Sequence, residues 1–70
     1  MKKICIETDY ITLGQMLKLA DCIDSGGQAK SFLVEVEIKV NHEAEQRRGR
    51  KLYVGDTIEV NGFGTFLIEK

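Results

Sequence analysis

All three arginines of the chain fall within four consecutive positions, in the run Gln46-Arg47-Arg48-Gly49-Arg50-Lys51. A guanidinium presents a planar fork of N–H donors that matches phosphate oxygens, and its flat face stacks on rings. With Gly49 free to bend the backbone, Arg47, Arg48, Arg50 and Lys51 suit a phosphate backbone. The alternative is a solvated loop balanced by Glu43 and Glu45, and an isolated basic hexamer is more often that. A second place for an anion is Ser25-Gly26-Gly27-Gln28-Ala29-Lys30, read as a helix start. Free backbone N–H groups and the helix dipole attract negative charge there. Gly26 and Gly27 carry no side chain to keep a ligand away, and Lys30 lies a turn further on. The alternative gives the glycines a turn-making role and leaves Lys30 as a surface residue. If Lys30, Lys39 and the arginine loop share one side of the fold, they line a positively charged groove.

Other chemistry is sparse. His42 is the only histidine, and beside Asn41 in a polar turn it reads as a structural or solvated residue rather than a base. Cys5 and Cys22 read as small, partly buried hydrophobes. One histidine and two scattered cysteines lack the local spacing of a zinc site. Asp56 after Gly55 is a turn residue, and Gly62-Phe63-Gly64 is too short to cradle a phosphate. Among Tyr10, Phe32, Tyr53, Phe63 and Phe66 the sequence offers no clustered pair resembling a base-stacking platform. Phe32 and Phe66 are expected in the core. Tyr53 is assigned to cross-strand packing, with a ligand-facing role beside the arginines as the alternative. No catalytic residue, cofactor or metal is expected.

The charge distribution sharpens the first observation. The chain has seventy residues and a net charge of −1, a value that argues against a nucleic-acid binder when taken as an average. Residues 1–45 carry −3, residues 46–51 carry +4 and residues 52–70 carry −2. At 43% hydrophobic and 30% charged the composition is that of a folded chain, and its length allows one small domain, residues 1–70. No apolar run approaches the ~20 residues of a membrane span, and the start lacks the apolar stretch of a signal peptide. With only two cysteines, the expectation is a cytoplasmic protein with free thiols, no membrane partner and no small-molecule substrate.

These residues need a scaffold. Thr12-Leu13-Gly14-Gln15 has the form of a capping box, and Leu13, Met16, Leu17, Ala20 and Ile23 follow at helical spacing. Ser25-Gly26-Gly27-Gln28 is a second box, followed by Ala29, Phe32, Leu33 and Val36 at the same period. Ile38 and Val40 then alternate with Glu37 and Lys39, the two-residue period of a strand. Residues 41–45 form a polar turn, and Leu52 and Val54 alternate again. Ile58 and Val60 make another strand, Asn61-Gly62 signals a hairpin, and Thr65 to Glu69 is the last strand. Lys3 to Glu7 is placed beside it as an edge. The order predicts an α+β fold, with two short helices packed on a small, mainly antiparallel sheet.

Read in order, Ile11-Thr12-Leu13-Gly14-Gln15, Leu17-Lys18-Leu19-Ala20-Asp21, Ser25-Gly26-Gly27, Ala29-Lys30 and Arg47-Arg48-Gly49-Arg50-Lys51-Leu52-Tyr53-Val54-Gly55-Asp56 resemble the S-four RNA-binding domain. The closest resemblance is to its YaaA-like stand-alone bacterial subgroup. The resemblance covers residues 11–60 and implies the helix-and-hairpin core known as the αL motif. It also implies that the second helix and the following strand and loop grip structured RNA, ribosomal RNA above all. It carries the expectation of a non-enzymatic bacterial protein acting on the ribosome or its assembly intermediates. The chain departs from the family where arginines usually stand at the two helix starts, here Thr12-Leu13-Gly14 and Ser25-Gly26-Gly27. The usual glycine after Val-Asn is His42. Contacts at the helix starts would then come from backbone N–H groups, and the load would fall on Lys30, Lys39 and the arginine loop. The expected RNA-binding set is Gly26, Gly27, Lys30, Lys39, Asn41, Arg47, Arg48, Arg50 and Lys51, with Asn41 shaping the hairpin. A protein-interaction adaptor that docks acidic surfaces is the alternative function.

Overall fold

The computed structural model describes all seventy residues. Its elements in chain order are β1 (Lys2–Cys5), β2 (Ile11–Thr12), α1 (Leu13–Leu19), a 3-10 turn (Gly26–Gln28), α2 (Ala29–Glu35), β3 (Ile38–Val40), β4 (Glu43–Ala44), β5 (Lys51–Leu52), β6 (Thr57–Val60) and β7 (Gly64–Glu69). The large sheet has five strands in the order β1-β7-β6-β3-β4. Only the β1–β7 pair is parallel, with Ile4 opposite Ile68. The remaining strands, β2 and β5, pair with each other, Ile11 opposite Leu52 and Thr12 opposite Lys51. The α+β fold with a mainly antiparallel sheet is therefore as the sequence predicts.

Strand alternation sends one face of the large sheet inward. Ile38, Val40, Ile58, Val60, Phe66 and Ile68 are buried there, against Leu13, Met16, Leu17, Ala29 and Leu33 from the helices. The capping box of α1 forms in full: the Gln15 N–H donates to Thr12 Oγ1 at 3.3 Å and the Thr12 N–H to Gln15 Oε1 at 2.9 Å. At the second box the Gln28 side chain reaches back and accepts the N–H groups of Asp24 and Ser25 at 2.6 and 3.0 Å.

Two element boundaries differ from the periodic reading. The first helix stops at Leu19 rather than running to Ile23. The N–H groups of Asp21 and Cys22 turn back onto the carbonyls of Lys18 and Leu17, and Asp21 takes φ +60° in place of the usual glycine. Ile23 is still buried, but from the loop beyond. The strand expected over Leu52 to Val54 ends at Leu52, and Val54 is exposed in the following turn. Apolar spacing identified the core residue in the first case and a turn residue in the second, because periodicity does not register a chain reversal.

Candidate functional site

The start of α1 is where the arginine loop docks. The Leu13 N–H donates to the Arg50 carbonyl at 2.8 Å, and the Gly14 N–H to the Arg48 carbonyl at 2.9 Å. Helix starts leave such donors unpaired, so the loop fills two of them with its own backbone. The packing around Gly14 is close, with space for a methyl group and little more. A Cβ built there would stand 3.4 Å from the Arg48 oxygen and 3.5 Å from Ala29 Cβ. The arginine loop and the starts of both helices thus meet at one residue. Lys30 follows Ala29 in α2 and is exposed.

Glu45, which the sequence reading treats only as a balancing charge, organises the loop. Its side chain is 7% exposed and accepts from Arg47 Nε at 3.0 Å and Nη2 at 3.1 Å, and from Arg50 Nη1 at 2.7 Å. It also accepts the backbone N–H groups of Gln46 and Arg47. The Arg47 side-chain hydrogen bond, followed by that of Arg50, outweighs burial and holds the Glu45 carboxyl at about 2. Arg47 is pushed up in return. The balanced-loop reading therefore holds for two of the arginines, through Glu45. Arg47 and Arg50 are balanced by Glu45, yet the Arg47 side chain is 75% exposed and keeps donors facing water. Arg48 makes no salt bridge and no side-chain hydrogen bond. No signal of charge alone singles out Glu45; the clue is its place two residues before Arg47, next to a strand end.

Lys51 continues the basic line along β5, and its Nζ lies 4.9 Å from the centre of the Tyr10 ring. Tyr10 in turn pairs with Tyr53, ring centres 5.8 Å apart and planes tilted by 49°. The two rings are 39% and 48% exposed. The expectation of no clustered aromatic pair is thus corrected. Tyr10 and Tyr53 are distant in sequence, and the β2–β5 pairing alone brings them together.

Other expected residues lie elsewhere. Lys39 sits between buried Ile38 and Val40, so alternation turns it to the sheet face away from the helices, across from Glu59. It does not join the groove expected with Lys30 and the arginines. Gly27 lines a cavity that also holds Asp24 and Glu35, an acidic surrounding rather than a phosphate cradle. Gly26 is open, with nothing within 4 Å of a built Cβ. Asn41 does shape the hairpin. With His42 it forms the two-residue turn between β3 and β4, at φ +51° and +71°. Its side chain donates to Asp56 Oδ1 at 3.1 Å and accepts the Thr57 N–H at 3.0 Å. The other oxygen of Asp56 accepts the Tyr53 N–H at 2.8 Å. Asn41 therefore steadies the turn that carries Tyr53.

A family model described as the S4 domain, the S-four domain by its short name, matches residues 4–68. A protein of Bacillus subtilis (strain 168) named "Probable ribosome maturation protein RlbA" is 63% identical over 65 residues, covering 93% of this chain and 92% of its own. The match runs from within β1 to within β7 and includes the arginine loop with the helix start it docks on: the chain belongs to the S4 domain family.

Proposed function

We propose that this protein binds structured RNA, ribosomal RNA in particular, and works without catalysis in ribosome assembly in the bacterial cytoplasm. The observation that carries the reading is the arginine loop fixed by Glu45 and by the start of α1, with Arg48, Lys51 and the outer edge of Arg47 turned to solvent. A basic loop whose backbone is already anchored loses little freedom on meeting a phosphate backbone. A-form RNA presents phosphates and 2′-hydroxyls more readily than base edges, which suits recognition by shape. Membership of the S4 domain family and the ribosome-maturation name of the relative support the same reading. On this geometry the contact set is Lys30, Arg47, Arg48, Arg50 and Lys51, with Asn41 acting through the turn. Lys39 and Gly27 fall outside it.

The test is titration of purified bacterial ribosomal RNA over a salt series. Each phosphate contact contributes a log–log salt slope of ~0.7–0.9. Arg48→Ala should lower affinity and flatten the slope by about one contact, and Arg48→Glu with Lys51→Glu should abolish binding at moderate salt. Affinity indifferent to salt, or unchanged in the double charge reversal, would overturn the proposal. So would a protein partner, captured from cells, that stays bound after ribonuclease treatment while RNA binding is absent.

A further inference from the structure

The geometry points to a stacking platform for an unpaired nucleobase on Tyr53, backed by Tyr10, with Lys51 placed for the phosphate of the same nucleotide; the inference deepens the RNA-binding reading and rests on it. Phe32 and Phe63 form a second ring pair, but only the Tyr10–Tyr53 pair has a cation against it, and the chemistry of its occupant can be named from those surroundings. The charge set against a ring face is cationic: Lys51 Nζ lies 4.9 Å from the Tyr10 ring centre, whereas the Asp56 carboxylate is engaged by the Tyr53 backbone N–H. A nucleobase offers a flat π-face to the rings, and its phosphate offers an anion to that ammonium. An apolar peptide would satisfy the rings and strand the cation.

Both rings sit on fixed backbone. Thr8 Oγ1 donates to the Tyr10 carbonyl at 2.7 Å, and Ile11, the next residue, is paired with Leu52. Tyr53 and Asp56 are tied twice, by the Tyr53 N–H to Asp56 Oδ2 at 2.8 Å and by the Asp56 N–H to the Tyr53 carbonyl at 3.0 Å. Tyr53 also lies just past the end of β5, so its ring is not needed to complete a sheet face. An open cavity of about 1100 Å³ borders Tyr10; Asp9 and Asp21 line it along with Gln15 and Lys18, so it suits an uncharged ribose or base edge, and the phosphate is left to Lys51. The substrate class follows. Bases inside a helix have both faces covered by their neighbours, so the platform takes a bulged, looped or terminal nucleotide next to the paired segment held by the arginine loop.

Stacking and charge differ in their salt dependence, which makes the test specific. Wild type, Tyr53→Ala, Tyr53→Phe and Arg48→Glu are titrated with purified bacterial ribosomal RNA at several salt concentrations, with folding checked by circular dichroism. Truncating one stacking ring weakens binding about tenfold. The expected result for Tyr53→Ala is that loss at every salt concentration, with the slope unchanged. Tyr53→Phe, which keeps the ring, restores affinity to within about twofold, whereas Arg48→Glu changes the slope. The chain has no tryptophan, so tyrosine emission is directly readable and is expected to be quenched by RNA. The platform is overturned if Tyr53→Ala binds like wild type, if Tyr53→Phe is as weak as Tyr53→Ala, or if RNA binds without quenching. In each case the sensitivity of Arg48→Glu still upholds the RNA-binding reading. Absence of any salt-dependent binding by the wild type overturns both.

Discussion

The N–H of Gly14 donates to the main-chain oxygen of Arg48 at 2.9 Å. This bond makes the loop part of the helix start, so the loop's shape and the stability of α1 are one property. It also means that Leu13 and Gly14 have spent their donors on protein and are not a vacant anion site.

The first prediction tests that junction. A Cβ at position 14 meets ordinary van der Waals neighbours at 3.4–3.6 Å, so Gly14→Ala fits. Removing glycine from a helix favours folding by up to about 1 kcal/mol, and thermal denaturation should show the variant at least as stable as wild type. Gly14→Val adds bulk that must push the loop from α1 or α2, and should cost about 1–3 kcal/mol.

Glu45 gives a pH signature. Its carboxyl is lowered from an ordinary 4.5 to about 2 on folding. A group depressed in the folded state stabilises fully above its unfolded value, and that contribution fades as pH falls from about 4.5 towards 2. Melting temperature should therefore drop through that window in the wild type and drop less in Glu45→Gln. At neutral pH the same variant should be destabilised by about 1–2 kcal/mol, because charge-assisted bonds to partly exposed arginines are worth less than buried ones.

Asn41 is predicted to matter through structure. Asn41→Ala loses the bond to Asp56, the bond from Thr57 and a residue tolerant of positive φ. A loss of about 1–3 kcal/mol is expected in chemical denaturation. Asn41→Gly keeps the backbone conformation and removes only the side-chain bonds, so it should fall between the two.

Asp21 and His42 hold positive φ without being glycine. For side chains the left-handed region costs roughly 1–2 kcal/mol. His42 recovers little of this, since its contact with Glu59 at 3.6 Å is exposed. Asp21→Gly and His42→Gly should each raise the melting temperature, and the effects should add because the sites share no partner.

The sequence carried the fold further than the site. Capping boxes at Thr12 and Ser25, the alternation around Ile38–Val40 and the Asn61-Gly62 hairpin are local signals, and local signals survive into structure. The end of α1 was hidden because Asp21 stands where glycine would mark the stop. The arginine run was visible as composition. Its ordering by Glu45 was not, since a carboxylate that counters charge and one that clamps a loop read alike in one dimension. Lys39 looked like part of the groove until the burial of Ile38 and Val40 fixed which way the strand faces. Tyr10 and Tyr53 were invisible as a pair because only a β2–β5 pairing across some forty residues joins them.

The parallel β1–β7 pairing has a consequence for how the chain comes into being. β1 is synthesised first, and its one strand partner follows some sixty residues later, with Lys2 opposite Phe66 and Cys5 opposite Glu69. β7 also lies between β1 and β6, so the sheet stays split until nearly the whole domain has emerged. Pairings this distant in sequence slow folding. Until β7 is available β1 has no strand to pair with, so the first strand of the domain waits for the last.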